Sequence, residues 1–370
     1  MYVDDILAIS MDPTSILMSM EGDTVKYKNG KIEPPEMYLG AKLKEKEING
    51  RLCWTISTVD YIKAAVQTVK DSVNQPGCQW KLPSKATTPM VSSFIPELDG
   101  TPELGTDDHR FFQEMIGMLR WATELGRVDI LHEVSLLSQY QASPRQGHME
   151  QALHIFAYLD KHPKLTLYMD PGLPNLNSGI FSTTNASEFK EYYREAKEEM
   201  PHRMPRPRGV AVCTSAYVDS SHGSNKVTRR SHSGHILFVN SAPVKWISRR
   251  QQTVETSAFS SEFIALKQCI EDIEHLRFKL RMFGIPIYKD KDGDATSILC
   301  DNEGVVTNTS NVESSLNKKH SSIAYHFSRW NVAAGVCKIA WVSTNENLAD
   351  TMTKRLCVTT RDYLFGRWTY

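Results

Sequence analysis

The alternation of strand-like and helical segments after Gly209 constrains the fold of this 370-residue chain more than any other feature. Three strand-like runs with short turns come first, at 210–219, 234–240 and 244–248. The segments that follow alternate, with helices predicted at 257–283, 302–309, 317–334 and 346–355 and strands at 296–301 and 338–343. Short turns favour antiparallel strands, whereas crossover helices favour parallel ones. The pattern therefore predicts an α/β fold with a mixed five-stranded sheet.

The chain before Gly209 changes composition several times, which predicts separate regions. Strand-like segments at 2–9 and 36–57 precede a helical pattern at 58–71, and a loop rich in Pro, Ser and Thr covers 81–106. Amphipathic segments near 107–124, 129–141 and 147–160 lead to a strand-like run at 165–169. Repeated prolines after a short charged helix from Ser187 indicate a linker. The predicted regions are 1–57, 58–170, a linker at 171–208, 209–357 and a C-terminal tail at 358–370.

The composition is that of an ordinary globular protein, with 41% hydrophobic and 23% charged residues and a formal net charge of zero. Overall charge therefore gives no sign of a nucleic-acid partner, and only local charge can. The seven cysteines are scattered and form no C-x-x-C pair, which predicts reduced thiols. Because we find neither a membrane-spanning run nor a secretion signal, we expect an intracellular protein, in a cytoplasmic particle or the nucleus, with no membrane partner.

Four acidic residues stand where strands end or helices run. Asp219 and Asp301 end two predicted strands, Glu262 lies early in the long helix, and Asp350 lies in the last one. Any one of them could be a solvated charge or a helix cap, but side by side they would repel one another unless cations neutralised them. Carboxylate oxygens suit Mg²⁺ or Mn²⁺, and two such ions can activate water for phosphodiester cleavage. The four residues therefore predict a catalytic site with two metal ions.

The interval between Asp219 and Glu255 contains no acidic residue but many basic ones. A one-sign stretch beside a carboxylate cluster suits a phosphate backbone, although solvated strand faces are also rich in such residues. The residues predicted to bind nucleic acid are Lys226, Arg229, Arg230, Arg249, Arg250 and, in a later helix, His320. Trp330 and Trp341 are predicted to lie in the core.

The residues around these positions carry a resemblance. The order Asp, Glu, Asp, Asp on strand, helix, strand and final helix resembles the ribonuclease H (RNase H) fold. The sequence motifs YVDS, SEFIAL, CDNEGVV, NKKH and NLADTMTK resemble those of the RNase H domain of copia-type LTR retrotransposon polyproteins. YVDD at 2–5 and MYLG at 37–40 resemble a reverse transcriptase hairpin and the strand after it, and 111–140 resembles the segment between polymerase and RNase H. The similarity covers nearly the whole chain.

This resemblance implies hydrolysis of the RNA strand in RNA–DNA hybrids, with the four carboxylates as catalytic residues and metal ligands. It also implies an incomplete reverse transcriptase palm at 1–57 and a thumb or connection region at 58–170, with the rest of the polyprotein as a further partner. Three departures stand out. Ser260 and Ser261 precede Glu262 where many relatives have a denser acidic cluster, Ser221 stands where some relatives have a second aspartate, and the loop at 343–346 lacks the histidine of cellular enzymes.

Asp4 and Asp5 would be the remnant of a polymerase site whose third aspartate lies upstream of Met1. We therefore expect this chain alone to cut RNA but not to copy it. Two other hypotheses share part of this pattern. Integrases and transposases share the fold, but their glutamate follows both aspartates, and Glu262 here precedes Asp301. A decayed element that binds nucleic acid without catalysis stays open.

Overall fold

The structure is a computed structural model. Asp4 and Asp5 lie outside the residues that it describes, and so does the predicted strand at 2–9. The described residues are 12–19, 32–48, 50–176, 181, 186–289, 293–316 and 319–369.

The described residues up to 176 are called the first region, and they contain a small antiparallel sheet with the strand order β1-β2-β3-β4. Its strands are β1 Met37–Tyr38, β2 Ala41–Ile48, β3 Arg51–Ser57 and β4 Thr166–Met169. The fourth strand returns to the sheet after more than a hundred residues, and it pairs Met169 with Trp54. The strand predictions at 36–57 and 165–169 are thereby confirmed.

The same region also contains helices. They are α1 Pro13–Ser19, α2 Val59–Val73, α3 Thr106–Glu124, α4 Leu131–Leu137 and α5 Gln146–Lys161. The helices predicted at 58–71, 107–124 and 147–160 are confirmed. The segment predicted at 129–141 is instead interrupted, because 3₁₀ turns Val128–Ile130 and Ser138–Tyr140 flank α4. Apolar faces of α2, α3 and α5 meet in one core that includes Ile62, Phe112 and Phe156.

The described residues from 186 to 369 are called the second region, which is built on the mixed five-stranded sheet that the sequence predicted. Its strands are β5 Thr214–Ser221, β6 His232–Val239, β7 Ala242–Arg250, β8 Thr296–Cys300 and β9 Cys337–Trp341. Their order is β7-β6-β5-β8-β9. The first three strands are antiparallel neighbours, whereas β5 pairs with β8, and β8 with β9, in parallel. The sheet therefore confirms both the fold class and the adjacency of the strands that end in Asp219 and Asp301.

Helices cover this sheet. They are α7 Ala258–Met282, α8 Glu303–Ser310, α9 Ser322–Ala333, α10 Asp350–Thr353 and α11 Val358–Phe365. The Ser257 hydroxyl accepts the N–H of Ser260 at the start of α7, and the Asn302 side chain accepts the N–H of Val305 at the start of α8. Such caps satisfy amide groups that lack a partner inside the helix. The predicted long helix is confirmed, and the predicted final helix is shorter, with Asp350 as its first residue.

Part of the segment predicted as a linker is packed instead. A short helix, α6 Ala186–Tyr192, places Phe189 in the core of the second region, where it is fully buried. The carboxylate of Glu198 then pairs with the guanidinium groups of Arg277 and Arg281 on α7. Residues of this segment therefore belong to the second hydrophobic core, a contact that the local proline pattern does not indicate.

Two further expectations are wrong. The predicted tail forms α11, and Trp368 beyond it is buried against Phe238 of β6. Trp330 and Trp341 are not core residues, since they are 38% and 45% exposed. Trp341 ends the edge strand β9, and its indole N–H donates a hydrogen bond to the carbonyl of Asp301 across the surface, at 3.2 Å.

The two regions share an apolar interface. Val128 and Leu167 of the first region pack with Ile236, Phe238 and Trp368 of the second. Polar contacts reinforce it, because the indole of Trp246 donates to the carbonyl of Thr123 at 2.9 Å. The interface holds α4 beside β7 and α10, the helix that begins with Asp350.

Within the described parts of the chain, no helix has the length and apolar character needed to cross a bilayer.

Candidate metal centre

Parallel pairing brings two of the predicted carboxylates to one edge of the sheet. Val218 of β5 pairs with Cys300 of β8, so the next residues, Asp219 and Asp301, follow at the same end of neighbouring strands. Since parallel strands point the same way, their carboxyl ends form a common rim. Asp219 is 1% exposed, while Asp301 is only partly buried and lies nearer to solvent.

Glu262 and Asp350 reach the same rim from two helices. Oε1 of Glu262 accepts the backbone N–H of Ser220 at 3.2 Å, which ties the start of α7 to the end of β5. The loop before α10 is anchored as well, since the amide of Asn347 donates to the carbonyl of Val218 at 3.0 Å. This anchor sets the position of Asp350, the first residue of α10.

The structure brings the four carboxylates together in two overlapping groups. Ligand atoms of Asp219, Asp301 and Asp350 all lie within 4.8 Å of one another, and the same holds for Glu262, Cys300 and Asp301. Asp301 belongs to both groups and so links them. The Cys300 thiol is buried in the core side of the rim, and burial raises its pKa well above the ordinary value, so the carboxylates are the natural hard ligands.

Burial and mutual repulsion disfavour ionisation of these acids. Burial raises the pKa of Asp350 to about 7, and the negative charge of Asp219 acts in the same direction. Burial, together with the charges of Asp219 and Asp301, raises the pKa of Glu262 well above its ordinary value. The pKa of Asp219 is also raised by burial, against the opposing effect of Lys354. Positive charge at this rim would offset these effects.

One carboxylate oxygen is suited to accept such a charge. Glu262 is 6% exposed, and no group in the described parts of the chain donates a hydrogen bond to its buried Oε2. A buried carboxylate oxygen without a donor is costly unless a cation approaches it. An unpaired oxygen within an all-carboxylate set fits the ligand preference of Mg²⁺ and Mn²⁺. The residues present therefore fit a divalent metal ion.

Two residues that contact the acidic rim, Thr353 and Lys354, are not predicted by the sequence pattern. The Nζ atom of Lys354 lies 2.7 Å from Oδ1 of Asp350 and 3.3 Å from Oδ1 of Asp219. The Thr353 hydroxyl donates to Oδ2 of Asp219. Although burial opposes its charge, Asp219 and Asp350 raise the pKa of Lys354 above its usual range. The available signal was the spacing of four residues between Asp350 and Lys354, which brings opposite charges together on a helix.

A cavity of about 400 Å³ opens beside the rim, between the two regions. Ser221, Thr353 and Lys354 line its inner side, and Lys226 and Arg250 are two of the predicted basic residues that line it. Both regions contribute to its wall, which also includes Glu97 from the first region and Arg355 from the second.

The remaining predicted contacts lie elsewhere. The structure does not place Arg229, Arg230 or Arg249 among the described residues that line this cavity; Arg229 and Arg249 are exposed. His320 contacts the start of α7. Its Nε2 lies 2.9 Å from the hydroxyl oxygens of both Ser260 and Thr256. Ser260 in turn lies two residues before Glu262 in the chain.

Sheet order, crossover helices and the acidic rim together define the second region as an RNase H-like α/β domain. Over 96% of its length the chain is homologous to retrovirus-related Pol polyproteins of transposons. It is 24% identical over 355 residues to that of transposon RE1 from Arabidopsis thaliana and 22% identical over 359 residues to that of transposon TNT 1-94 from Nicotiana tabacum. The predicted resemblance to copia-type elements is confirmed. The chain spans about a fifth of the length of these curated relatives, 20% and 23% respectively.

Solved structures with similarity to this chain include the RNase H1 of Halobacterium salinarum, which is 16% identical with a TM-score of 0.29. That match covers 38% of this chain and 93% of the solved one. A second, LC11-RNase H1 in complex with an RNA/DNA hybrid, is 14% identical with a TM-score of 0.29 and covers 38% and 93%. No protein-family model matches the chain.

Proposed function

We propose that this chain hydrolyses the RNA strand of RNA–DNA hybrids, using divalent metal ions held by Asp219, Glu262, Asp301 and Asp350. The observation that carries the proposal is the clustering of these carboxylates in two groups that share Asp301. One group includes Glu262, whose buried Oε2 has no hydrogen-bond donor among the described residues. Homology to Pol polyproteins supports a nucleic-acid substrate. RNA-directed DNA polymerase activity, to which Asp4 and Asp5 would contribute, is proposed only for the full-length polyprotein.

The buried carboxylates of the site are held in place by hydrogen bonds, whereas one carboxylate is open to an approaching substrate. Asp219 is fixed by the Thr353 hydroxyl, and Glu262 by the N–H of Ser220, so the buried ligands are positioned in advance. Asp301 is the partly exposed member, which makes its side of the rim the approach for a phosphodiester. The four carboxylates would hold Mg²⁺ ions, and the chemistry such ions would supply is activation of a water and stabilisation of the leaving oxygen.

Basic side chains favour a phosphate backbone at the same place. Lys226, Arg250 and Arg355 line the cavity beside the rim, and each phosphate that they neutralise would release a counterion. A preference for hybrid over duplex DNA would follow from the 2′-hydroxyl, which only the RNA strand offers. The proposed substrate is therefore a hybrid whose RNA strand crosses the acidic rim.

The test is cleavage of an end-labelled RNA–DNA hybrid in Mg²⁺ by the wild-type chain and by Asp219→Asn. We expect the variant to fall to background while its circular dichroism spectrum is unchanged, since one ligand charge is lost from an otherwise intact core. Asp362→Asn, which removes an exposed carboxylate of α11, is the matched control and should cleave like the wild type.

Cleavage by Asp219→Asn at the wild-type rate would contradict the proposed site. Equal cutting of hybrid and duplex DNA would contradict the proposed substrate. Binding of hybrid without cleavage by the wild type, in either Mg²⁺ or Mn²⁺, would support the alternative of a decayed, non-catalytic element.

A further inference from the structure

A lysine side chain occupies the acidic rim. The Lys354 ammonium contacts Oδ1 of both Asp350 and Asp219, and its side chain is 34% exposed. These two aspartates and Asp301 are the residues whose carboxylates lie within 4.8 Å of one another. The lysine therefore contacts two of the four carboxylates on which the proposed metal site depends.

We propose that Lys354 is a tethered counter-cation of this site, which a divalent ion must displace from Asp219 and Asp350 in order to bind. The proposal rests on the metal site of the proposed function and adds a role for a residue outside the ligand set. Lys354 would lower the metal affinity of the folded chain while stabilising the fold without metal. It is not proposed as a catalytic residue.

The electrostatic reason is competition for the same oxygen atoms. Clustered carboxylates destabilise a fold unless positive charge offsets their repulsion, and the Lys354 ammonium supplies one unit of it. A metal ion brought to Asp219 and Asp350 would meet this charge at close range. Two cations at one pair of carboxylates repel each other, so binding of the ion requires the ammonium to leave.

The surroundings of Lys354 allow that exchange. Its backbone N–H donates to the carbonyl of Asp350 at 3.0 Å, so the main chain stays in place when the side chain turns. Lys354 also lines the 400 Å³ cavity, which gives the ammonium a solvated space to enter. The flexible four-carbon stem of lysine suits such a movement better than the rigid fork of arginine.

A purely structural lysine would behave differently. If Lys354 only fastened α10 to β5, its removal would loosen Asp350 and weaken both the fold and metal binding. If it is a counter-cation, removal lowers the stability of the metal-free protein but raises its metal affinity. The opposite direction of the two changes separates the two roles.

The experiment is a calorimetric titration of MnCl₂ into the full chain after chelator treatment, with thermal unfolding of the same metal-free samples. The charge-removing variants are Lys354→Met and Lys354→Gln, the second of which keeps a hydrogen-bond donor in case the first fails to fold. Lys279→Met is the matched control, because that exposed lysine lies at the far end of the 25-residue helix α7.

We expect both Lys354 variants to bind Mn²⁺ about tenfold more tightly than the wild type, the size of one lost charge-assisted hydrogen bond, and to melt at lower temperature without metal. Lys279→Met should match the wild type in Mn²⁺ affinity. Unchanged or weaker Mn²⁺ affinity in a folded Lys354 variant would contradict the role proposed for Lys354 but not the proposed metal site. Absence of Mn²⁺ binding by every protein would overturn the proposed metal site itself, and this inference with it.

Discussion

Gly234 of β6 lies against Met352 of α10 so closely that a Cβ at position 234 would stand 2.6 Å from the Cβ of Met352. The same Cβ would be 2.7 Å from Cγ2 of Thr353. Gly234 pairs with Asp219 across the sheet, so the absence of a side chain there lets α10 approach the strand that carries Asp219. This close packing acts together with the Asn347 anchor in holding Asp350 at the acidic rim.

Gly234→Ala should therefore displace α10. We expect a loss of about 1–3 kcal/mol in the free energy of unfolding, the usual cost of overpacking, together with weaker Mn²⁺ binding. Urea unfolding and Mn²⁺ titration measure the two effects. Gly117→Ala is the matched control, since Gly117 is exposed in α3 and an added Cβ would meet nothing within 4 Å beyond its chain neighbours and the backbone of its own helix. That control should gain about 0.5–1 kcal/mol, and wild-type stability in Gly234→Ala would contradict the packing role.

Local patterns explain what the sequence could predict. The apolar stripe of α7, with Phe263, Leu266 and Ile270 buried, follows the helical repeat within one segment. The ends of β5 and β8 are set by short strand runs, so the placement of Asp219 and Asp301 could be read from the chain itself. These features depend on residues close in sequence, and the pairing of neighbouring strands then follows from connection rules.

Contacts between distant segments could not be predicted in this way. Arg361 reaches the carboxylate of Asp129, 232 positions earlier, and no local pattern relates the two residues. The burial of Phe189 and the folding of α11 onto the sheet depend on the same kind of contact. Lys354 was missed for another reason, because a lysine beside an aspartate on a short helix is most often a surface ion pair.

Arg361 and Asp129 belong to a buried ion network at the interface of the two regions. Arg127 donates two hydrogen bonds to the Asp129 carboxylate, both at 2.8 Å, and the Tyr158 hydroxyl donates a third at 3.0 Å. Asp129→Asn would leave two buried guanidinium groups short of a counter-charge. We expect it to lower the free energy of unfolding by about 3–5 kcal/mol.

The matched control for this change is Asp160→Asn, which breaks an exposed pair with Lys70 at 2.7 Å and should cost at most about 1 kcal/mol. Urea unfolding at neutral pH measures both variants. Similar losses in Asp129→Asn and Asp160→Asn would contradict the importance of burial for this network.

Glu133 of α4 gives the protein a pH-dependent stability. Burial raises the pKa of Glu133 to about 7, above the value of about 4.3 expected in the unfolded chain. The stability that the protonated group contributes is fully present below pH 4.3 and is lost as the pH rises through 7. Glu133→Gln cannot ionise, so its stability relative to the wild type should increase by about 2–3 kcal/mol between pH 5 and pH 8.

Urea unfolding of the wild type and Glu133→Gln at both pH values tests this expectation. Glu124→Gln, which removes a carboxylate from the exposed end of α3, accounts for the general effect of one lost charge. A difference between wild type and Glu133→Gln that stays constant from pH 5 to pH 8 would show that Glu133 does not bind a proton on folding.

The cavity beside the acidic rim is lined by side chains of opposite charge. Removing a positive and a negative charge there should change the affinity for hybrid in opposite directions. Arg250 and Glu97 both line it, and Oε1 of Glu97 accepts the backbone N–H of Lys226 at 2.6 Å. Arg250→Gln should weaken hybrid binding and lower the slope of log affinity against log salt by about 0.9, the value for one duplex phosphate contact. Glu97→Gln keeps the acceptor but removes a repelling charge, so it should tighten binding.

Fluorescence anisotropy of a labelled RNA–DNA hybrid, in chelator to prevent cleavage and over a series of KCl concentrations, measures both the affinity and the slope. Lys279→Gln is the control, because it removes a positive charge at the end of α7 remote from Glu262 and should leave the slope unchanged. If the hybrid crosses this cavity, Arg250→Gln and Glu97→Gln must shift affinity in opposite directions relative to that control. Shifts of the same sign, or a slope in Arg250→Gln equal to that of the wild type, would place the phosphate backbone on another face of the protein.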